Sequence, residues 1–247
     1  MPIDRLWPEP AADLDDEALL AAYAFPADRT WLRMNFISTL DGAATRQGRS
    51  GFLGDDADRR VFGLLRRPAH AVLIAAGTAR AQGYRATLVG PRSSAWRVAL
   101  GLPPQPVLVL VSRSLDLDPT APMLSDAPVR PIVYTVESAP QERRAALANV
   151  ADVVTAGSVD VDPVRLRDDL AARGLTRIHA EGGPRLFGSF LAADGVDELC
   201  LTLAPALEGG DAPRIAHGAR GVPTDMTLTS VLRAGSELLL RYVRSPA

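Results

Sequence analysis

The chain has 247 residues, 47% of them hydrophobic and 23% charged, with a formal net charge of −2. That is enough to bury a substantial core in one large domain or two small ones, and the composition is that of an ordinary globular protein. Arginines spread along a near-neutral chain offer no basic face to a nucleic acid, and no apolar run approaches the roughly 20 residues of a membrane span.

The first 30 residues are rich in Pro and Ala, with one short helical stretch at 15–24 opened by acidic residues, and read as an N-terminal arm on a single domain spanning 31–247. The start of the chain shows no basic segment followed by an apolar one, as a signal peptide would, so a cytoplasmic protein is expected. From Trp31 the pattern becomes regular. Short runs rich in Val, Ile and Leu predict strands at 31–39, 70–75, 107–112, 130–135, 152–155, 176–180, 197–204, 226–233 and 237–243. Helices are predicted between the earlier ones. The run 56–67 follows Gly54-Asp55, carries Val61, Leu64 and Leu65 on one face and stops at Pro68. Asp162-Pro163 opens a helix closed by Gly174, and a third covers 186–193 after Gly182-Gly183-Pro184. Alternating strands and helices predict an α/β fold of three layers, a mostly parallel mixed sheet with flanking helices, ending in an antiparallel hairpin around Ala234-Gly235.

Two absences narrow the chemistry. Cys200 is the single cysteine, so there is no intrachain disulfide, no CxxC pair and no Cys-rich zinc site; it reads as a small buried hydrophobe, and no metal is expected. All 27 basic residues are Arg. Without Lys there is no Schiff base to pyridoxal phosphate or a carbonyl substrate, and no Walker A loop. Ser, His and Asp all occur, but without GxSxG a hydrolase triad is unsupported.

Four strand ends carry small or anion-binding residues. Ile178-His179-Ala180-Glu181-Gly182-Gly183-Pro184 runs from a strand through a Gly pair into a helix, a junction that aims backbone N–H groups and the positive helix end at an anion. A plain tight turn would look the same. Glu181 sits where open α/β sheets place ligands, as a pocket residue or a surface charge. After the first strand come Ser38-Thr39-Leu40-Asp41-Gly42 and the Gly-rich stretch 48–54, suited to a flap over a cofactor or to a surface loop. Ala76-Gly77-Thr78 follows the second strand. Ser112-Arg113-Ser114 follows the third, where hydroxyls and a guanidinium suit a phosphate monoester. His70 and His179 lie within strand runs and read as packed, and His217, in the Gly-rich loop before the final hairpin, reads as a loop residue more than as a ligand contact.

Taken together, STLDG (38–42), GRSGFLG (48–54), LLRRPAHAVLIAAGT (64–78), EGGPRLFGSFL (181–191) and VDELCLTLAPAL (196–207) resemble the C-terminal reductase domain of the riboflavin-biosynthesis deaminase–reductases, the RibD C-terminal domain family, which is dihydrofolate-reductase-like. The resemblance implies an NADPH-dependent reductase and a homodimer. It implies cofactor contacts at Ile37, Phe52, Thr78, Gly182, Gly183, Pro184, Arg185, Leu186 and Phe187, with Ser112 and Arg113 at the 2′-phosphate. It places Asn35, Ser50, Arg66 and Glu181 toward the substrate, with Glu181 or a water it holds assisting protonation, and gives Asp41 the task of holding its own loop.

The chain also departs from the family's pattern. Asn35 stands where riboflavin-type members carry Lys, and Gln82-Gly83-Tyr84 where they carry two acids and a Pro, so Gln82 would read the substrate ring with a different set of donors and acceptors. The downstream Arg for the sugar phosphate has no aligned match, leaving Arg85 or Arg92 as substitutes, and the zinc deaminase motifs are absent. The expected reaction is hydride transfer from NADPH to the ribosylamino-pyrimidine phosphate of riboflavin synthesis. Reduction of dihydrofolate or another pterin, and nucleotide binding without turnover, are the alternatives.

Overall fold

The computed structural model describes residues 1–218, 221 and 223–245. In chain order the elements are β1 (Asp4–Trp7), α1 (Asp16–Ala22), β2 (Trp31–Thr39), α2 (Asp56–Arg66), β3 (Ala71–Ala75), α3 (Ala76–Gln82), α4 (Pro91–Ala99), β4 (Val107–Val111), α5 (Pro122–Ser125), β5 (Ile132–Thr135), α6 (Gln141–Leu147), β6 (Asp152–Thr155), α7 (Pro163–Ala172), β7 (Arg177–Ala180), α8 (Pro184–Ala192), β8 (Glu198–Ala204), β9 (Met226–Ala234) and β10 (Glu237–Arg244). The strands form one sheet in the order β1-β9-β10-β8-β2-β7-β3-β4-β5-β6. From β8 to β6 every pairing is parallel; β10 then joins β8, β9 joins β10 and β1 joins β9, all antiparallel.

Parallel strands covered on both faces must be apolar on both, and β3, with Val72 and Ile74 on one face and Ala71 and Leu73 on the other, is fully buried along those four residues. On one face Leu32, Leu73, Ile178 and Ala180 pack against Leu166 and Leu170 of α7 and Phe187 and Phe190 of α8. On the other, Val72 and Ile74 pack under α3, α5 and α6, while α1 and α2 cover the β8–β10 end through Leu19, Val61, Leu64 and Leu65. These are the three layers expected, with the antiparallel β9–β10 pair.

The hairpin is not the sheet's edge, however. The segment read as an arm adds β1 outside β9, with Asp4 opposite Arg233. Its Ile3, Leu14, Leu19 and Tyr23 are buried among α2, β9 and β10. Four residues with little alternation give a strand that the sequence pattern does not disclose. Helices α3, α4 and α6 were likewise not expected, because AGTARAQ, PRSSAWRVA and QERRAAL lack an apolar stripe of the length a periodicity argument needs.

A charged layer lies under α1 and β10. The fully buried Glu198 carboxylate accepts from Arg33 Nε (2.9 Å) and Nη2 (3.2 Å), Arg241 Nε (2.7 Å) and the Trp31 indole (2.6 Å). Burial pushes this carboxyl up, but Arg33 and Arg241 outweigh it and hold it at about 2. Removing one partner of such a group strands the others. Glu198→Ala is therefore expected to cost about 3–5 kcal/mol, read as a lowered urea midpoint at unchanged slope.

Candidate active site

Strand β7 is inserted between β2 and β3, and the carboxyl ends of these three strands open onto a cleft of about 580 Å³. Its far wall is α2 and the segment after α3. The cleft brings together most residues expected to meet a ligand. Asn35, Ser50, Arg66, Gln82 and Glu181 line it, as do Ile37, Thr78, Gly182, Gly183 and Pro184.

At its floor is an ion pair between residues 115 positions apart. Arg66 donates Nε to Glu181 Oε1 (2.5 Å) and Nη2 to Oε2 (2.6 Å), and its Nη1 reaches the Leu88 carbonyl (2.9 Å). The guanidinium lies between the rings of Phe62 (4.4 Å) and Tyr84 (5.4 Å). Tyr84 Oη donates to Glu181 Oε2 at 2.9 Å. Behind the carboxylate, His179 Nε2 of the same strand lies 3.3 Å from Oε1, off the line of a hydrogen bond, so neither ring nitrogen of this fully buried histidine is satisfied among the described residues. Burial, followed by the Arg33 and Arg66 charges, outweighs Glu181 and keeps the imidazole below its ordinary range.

Burial pushes the Glu181 carboxyl up, yet the Arg66 charge and hydrogen bonds win and hold it at about 2. Glu181 is thus held as an ionised acceptor by Arg66. Arg66 commits three of its five N–H groups to protein partners, and Arg85 is exposed at the cleft without an acidic partner among the described residues. Arg92 lies away from the cleft, beside Asp15 and Asp16.

The Gly pair has a conformational cause. Gly182 and Gly183 have φ of +139° and +99°, and a Cβ on Gly183 would overlap that of Ala75. The turn carries the chain directly into α8, whose first-turn N–H groups at Arg185 and Leu186 have no acceptor within the helix. A side chain at Gly183 would therefore disturb the end of β3 at Ala75 as well as the approach of any ligand to the turn. Gly188 is equally constrained, because a Cβ there would overlap the His217 carbonyl, and His217 N–H donates to the Pro184 carbonyl (2.9 Å). The loop containing His217 thus packs on α8 through its backbone while the residue itself is exposed.

Several expected contacts lie outside the cleft. Leu186 and Phe187 point into the core, Phe187 stacking on Phe36 with centroids 5.0 Å apart, so only their backbone can meet a ligand. Arg185 is exposed, and Phe52 is 51% exposed in the 3₁₀ turn Ser50–Phe52, away from the lining. Ser112 is buried beyond β4, one strand over, and Arg113 is exposed and paired with Asp160 at 2.8 Å. Asp41 holds its loop as expected, accepting from the Glu208 and Gly209 N–H groups (3.0 and 2.7 Å) and from Thr39 Oγ1. His70 accepts from the Arg177 N–H (3.3 Å), and Cys200 is buried, both packed as read. Asp58, Arg59, Phe62 and Tyr84 also line the cleft. Of these only Tyr84 stood out in the sequence, as a departure from the family's Pro.

The RibD C-terminal domain profile matches residues 30–240. The chain belongs to the RibD C-terminal domain family. It is 34% identical, over 87% of its length and 98% of the relative's, to a 2,5-diamino-6-ribosylamino-4(3H)-pyrimidinone 5′-phosphate reductase of Methanothermobacter thermautotrophicus. A reductase of the same name from Archaeoglobus fulgidus is 28% identical over 77% of the chain and 87% of the relative. Among solved structures, a pyrimidine reductase-like protein of Corynebacterium diphtheriae superposes with a TM-score of 0.84 at 27% identity, covering 93% of this chain and 99% of the other. The riboflavin biosynthesis reductase of Saccharomyces cerevisiae shares the fold, with a TM-score of 0.65 at 14% identity over 92% and 98% of the two chains. This RibD-family fold is dihydrofolate-reductase-like.

The Arg66–Glu181 pair ties stability to acid. Glu181 titrates at about 2 when folded and near its ordinary 4.5 when unfolded, so its contribution is complete above about pH 5 and is lost as pH falls toward 2. In Glu181→Gln this acid-dependent part of the unfolding free energy should vanish, leaving a visibly flatter profile in urea titrations between pH 5 and 2.

Proposed function

We propose that this RibD-family chain is an NADPH-dependent oxidoreductase that reduces a 5′-phosphorylated ribosylaminopyrimidine of riboflavin synthesis. The observation that carries it is one cleft with a strand–Gly–Gly–helix turn at one end and polar groups around a fixed ion pair at the other, in a chain 34% identical to a ribosylaminopyrimidinone phosphate reductase. The turn fits a dinucleotide because Gly183 leaves no side chain between Ala75 and the free N–H groups of α8.

NADPH, when bound, supplies the hydride. Gly182–Pro184 and the first N–H groups of α8 hold its pyrophosphate, and Thr78 borders the same turn, 3.2 Å from where a Cβ of Gly182 would stand. Arg113, exposed and paired with Asp160, is the residue that would hold a 2′-phosphate. Asn35, Ser50 and Gln82 present amide and hydroxyl groups to the pyrimidine, and Arg85 takes the sugar phosphate. The Arg66–Glu181 pair holds the wall of α2 against the end of β7, so the substrate carbon meets a fixed surface, and positioning supplies most of the acceleration. The pure protein should oxidise NADPH, followed at 340 nm, with the ribosylaminopyrimidine phosphate; steady absorbance with that substrate but a decline with dihydrofolate would overturn the assignment. Arg113→Ala should weaken NADPH binding about tenfold, from loss of a charge-assisted contact of roughly 1.5–3 kcal/mol, and leave NADH binding unchanged.

A homodimer is proposed on the β8–β10 face opposite α1. There Leu199, Leu201 and Leu203 face Tyr242, Leu240 and Leu238 in register, half-exposed as an apolar ladder that a second copy would cover. Leu201→Glu together with Leu240→Glu should sediment at half the mass of the native protein; equal masses would reject this interface. The setting is proposed to be the cytoplasm, in keeping with a single buried thiol and with no helix among the described residues long and apolar enough to cross a membrane.

A further inference from the structure

In a ribosylamine the sugar ring opens first, the anomeric C–O bond breaking as the exocyclic nitrogen's proton passes to the ring oxygen. Hydride transfer to the carbon of the resulting C=N bond then drives the bond's electron pair onto nitrogen, which must take up a proton. One nicotinamide hydride, one proton and one C=N become an oxidised nicotinamide and a CH–NH. The proton needs a donor in the cleft.

Six titratable side chains line it, Asp58, Arg59, Arg66, Tyr84, Arg85 and Glu181. Glu181 is held ionised by Arg66. Tyr84 already donates its hydroxyl to Glu181, and burial together with that carboxylate makes the phenol a still weaker acid. The three guanidiniums do not release a proton in a protein. Asp58 remains.

We propose that Asp58 is the proton donor of this reaction, passing its carboxyl proton to the substrate nitrogen as hydride reaches the neighbouring carbon. The inference rests on the reductase reading above. Asp58 stands on the first turn of α2, one and two turns before Phe62 and Arg66, so all three face the cleft along one stripe of the helix. It is half-buried and has no salt-bridge partner among the described residues. Arg59, its neighbour, turns instead to Asp56 (3.2 Å) and the Gly54 carbonyl (3.0 Å). The Asp58 carboxylate packs on the α-carbon of Gly54, where a Cβ would overlap it, so the glycine leaves the acid its place.

The groups around Asp58 favour its protonated form. Asp55, the helix cap, accepts from the Asp58 N–H at 3.3 Å and brings a second carboxylate close. From β10, the buried Glu237 accepts from the Asp55 N–H at 3.1 Å and leaves its other oxygen unpartnered among the described residues. Burial, then Asp55 and Asp58, push Glu237 up to about 8. Burial, the largest effect, raises the Asp58 carboxyl from its ordinary value with help from the Asp55 charge, and outweighs the Thr202 hydroxyl of β8 and the Arg59 charge, which lower it.

The test measures kcat against pH for the full-length protein, with NADPH affinity followed by fluorescence. Wild-type kcat should fall as pH rises through the Asp58 pKa, because only the protonated acid can deliver. Asp58→Asn should lose at least about 10²-fold in kcat, bind NADPH within twofold of wild type, and show no such fall in its residual rate. Asp58→Glu should keep the fall with a displaced midpoint, and that measurement carries the test alone if Asp58→Asn folds poorly. A kcat in Asp58→Asn within threefold of wild type, or an unmoved midpoint in Asp58→Glu, overturns the assignment. Absence of wild-type turnover refutes the reductase reading and this inference together, whereas wild-type turnover undisturbed in Asp58→Asn refutes this inference alone.

Discussion

The charge of Glu181 has to be neutralised where it stands. A carboxylate at the end of β7 with no solvent contact is tolerated only if paired and hydrogen-bonded, and Arg66 supplies both in a two-pronged contact. Meeting that requirement pulls α2 against β7 and, through Leu88 and Tyr84, fixes the segment after α3 as the third wall. Because Gly182 and Gly183 follow Glu181 directly, the same pair also sets where the phosphate turn begins. The pair's contribution to net stability is small against a well-packed apolar alternative. Its role here is to hold three walls in one geometry, which is what a hydride transfer between two bound molecules requires.

The division of labour among the cleft's charges follows from that commitment. An arginine that spends three of its five N–H groups on a carboxylate and a carbonyl is held in one orientation at the cleft floor, while Arg85 stands exposed at the same cleft. Likewise, a carboxylate held ionised cannot act as an acid, so protonation falls to a group that burial and a neighbouring carboxylate push the other way. Glu181 and Asp58 are thus two carboxyl groups in one cleft with opposite tasks, one paired with a guanidinium and one denied a partner.

The parallel strands were legible because burial on two faces leaves unbroken apolar runs bounded by Gly, Pro and Asp, and the Gly182-Gly183 turn was legible because positive φ leaves few alternatives to glycine. Local cues stop short of partners distant in sequence. Nothing around Arg66 names Glu181 as its mate, so Arg66 read as a free cation. Three acids begin α2, and their composition does not tell them apart; packing makes Asp55 the cap, leaves Asp56 in solvent and turns Asp58 to the cleft. The first 30 residues look like an arm because Pro and Ala hide a four-residue strand, whose pairing with β9 only the closed sheet supplies.

The all-arginine composition has a structural counterpart, whatever its genomic origin. Fully buried Arg97 donates to the carbonyls of Pro103, Arg67 and Ala69, tying the end of α2 to the loop before β4. Arg130 gathers the carbonyls of Ala148, Asn149 and Ala151 after α6, and Arg241 those of Ala22 and Ala24 after α1. Each guanidinium closes the carbonyl end of a helix or loop that no residue of the segment itself satisfies. A lysine has one nitrogen and no fixed fork, so it would not span the two or three carbonyls that each guanidinium gathers. The arginines therefore add polar ties between elements that the hydrophobic clusters also join, and the Arg66–Glu181 floor of the cleft is the same device between α2 and the end of β7.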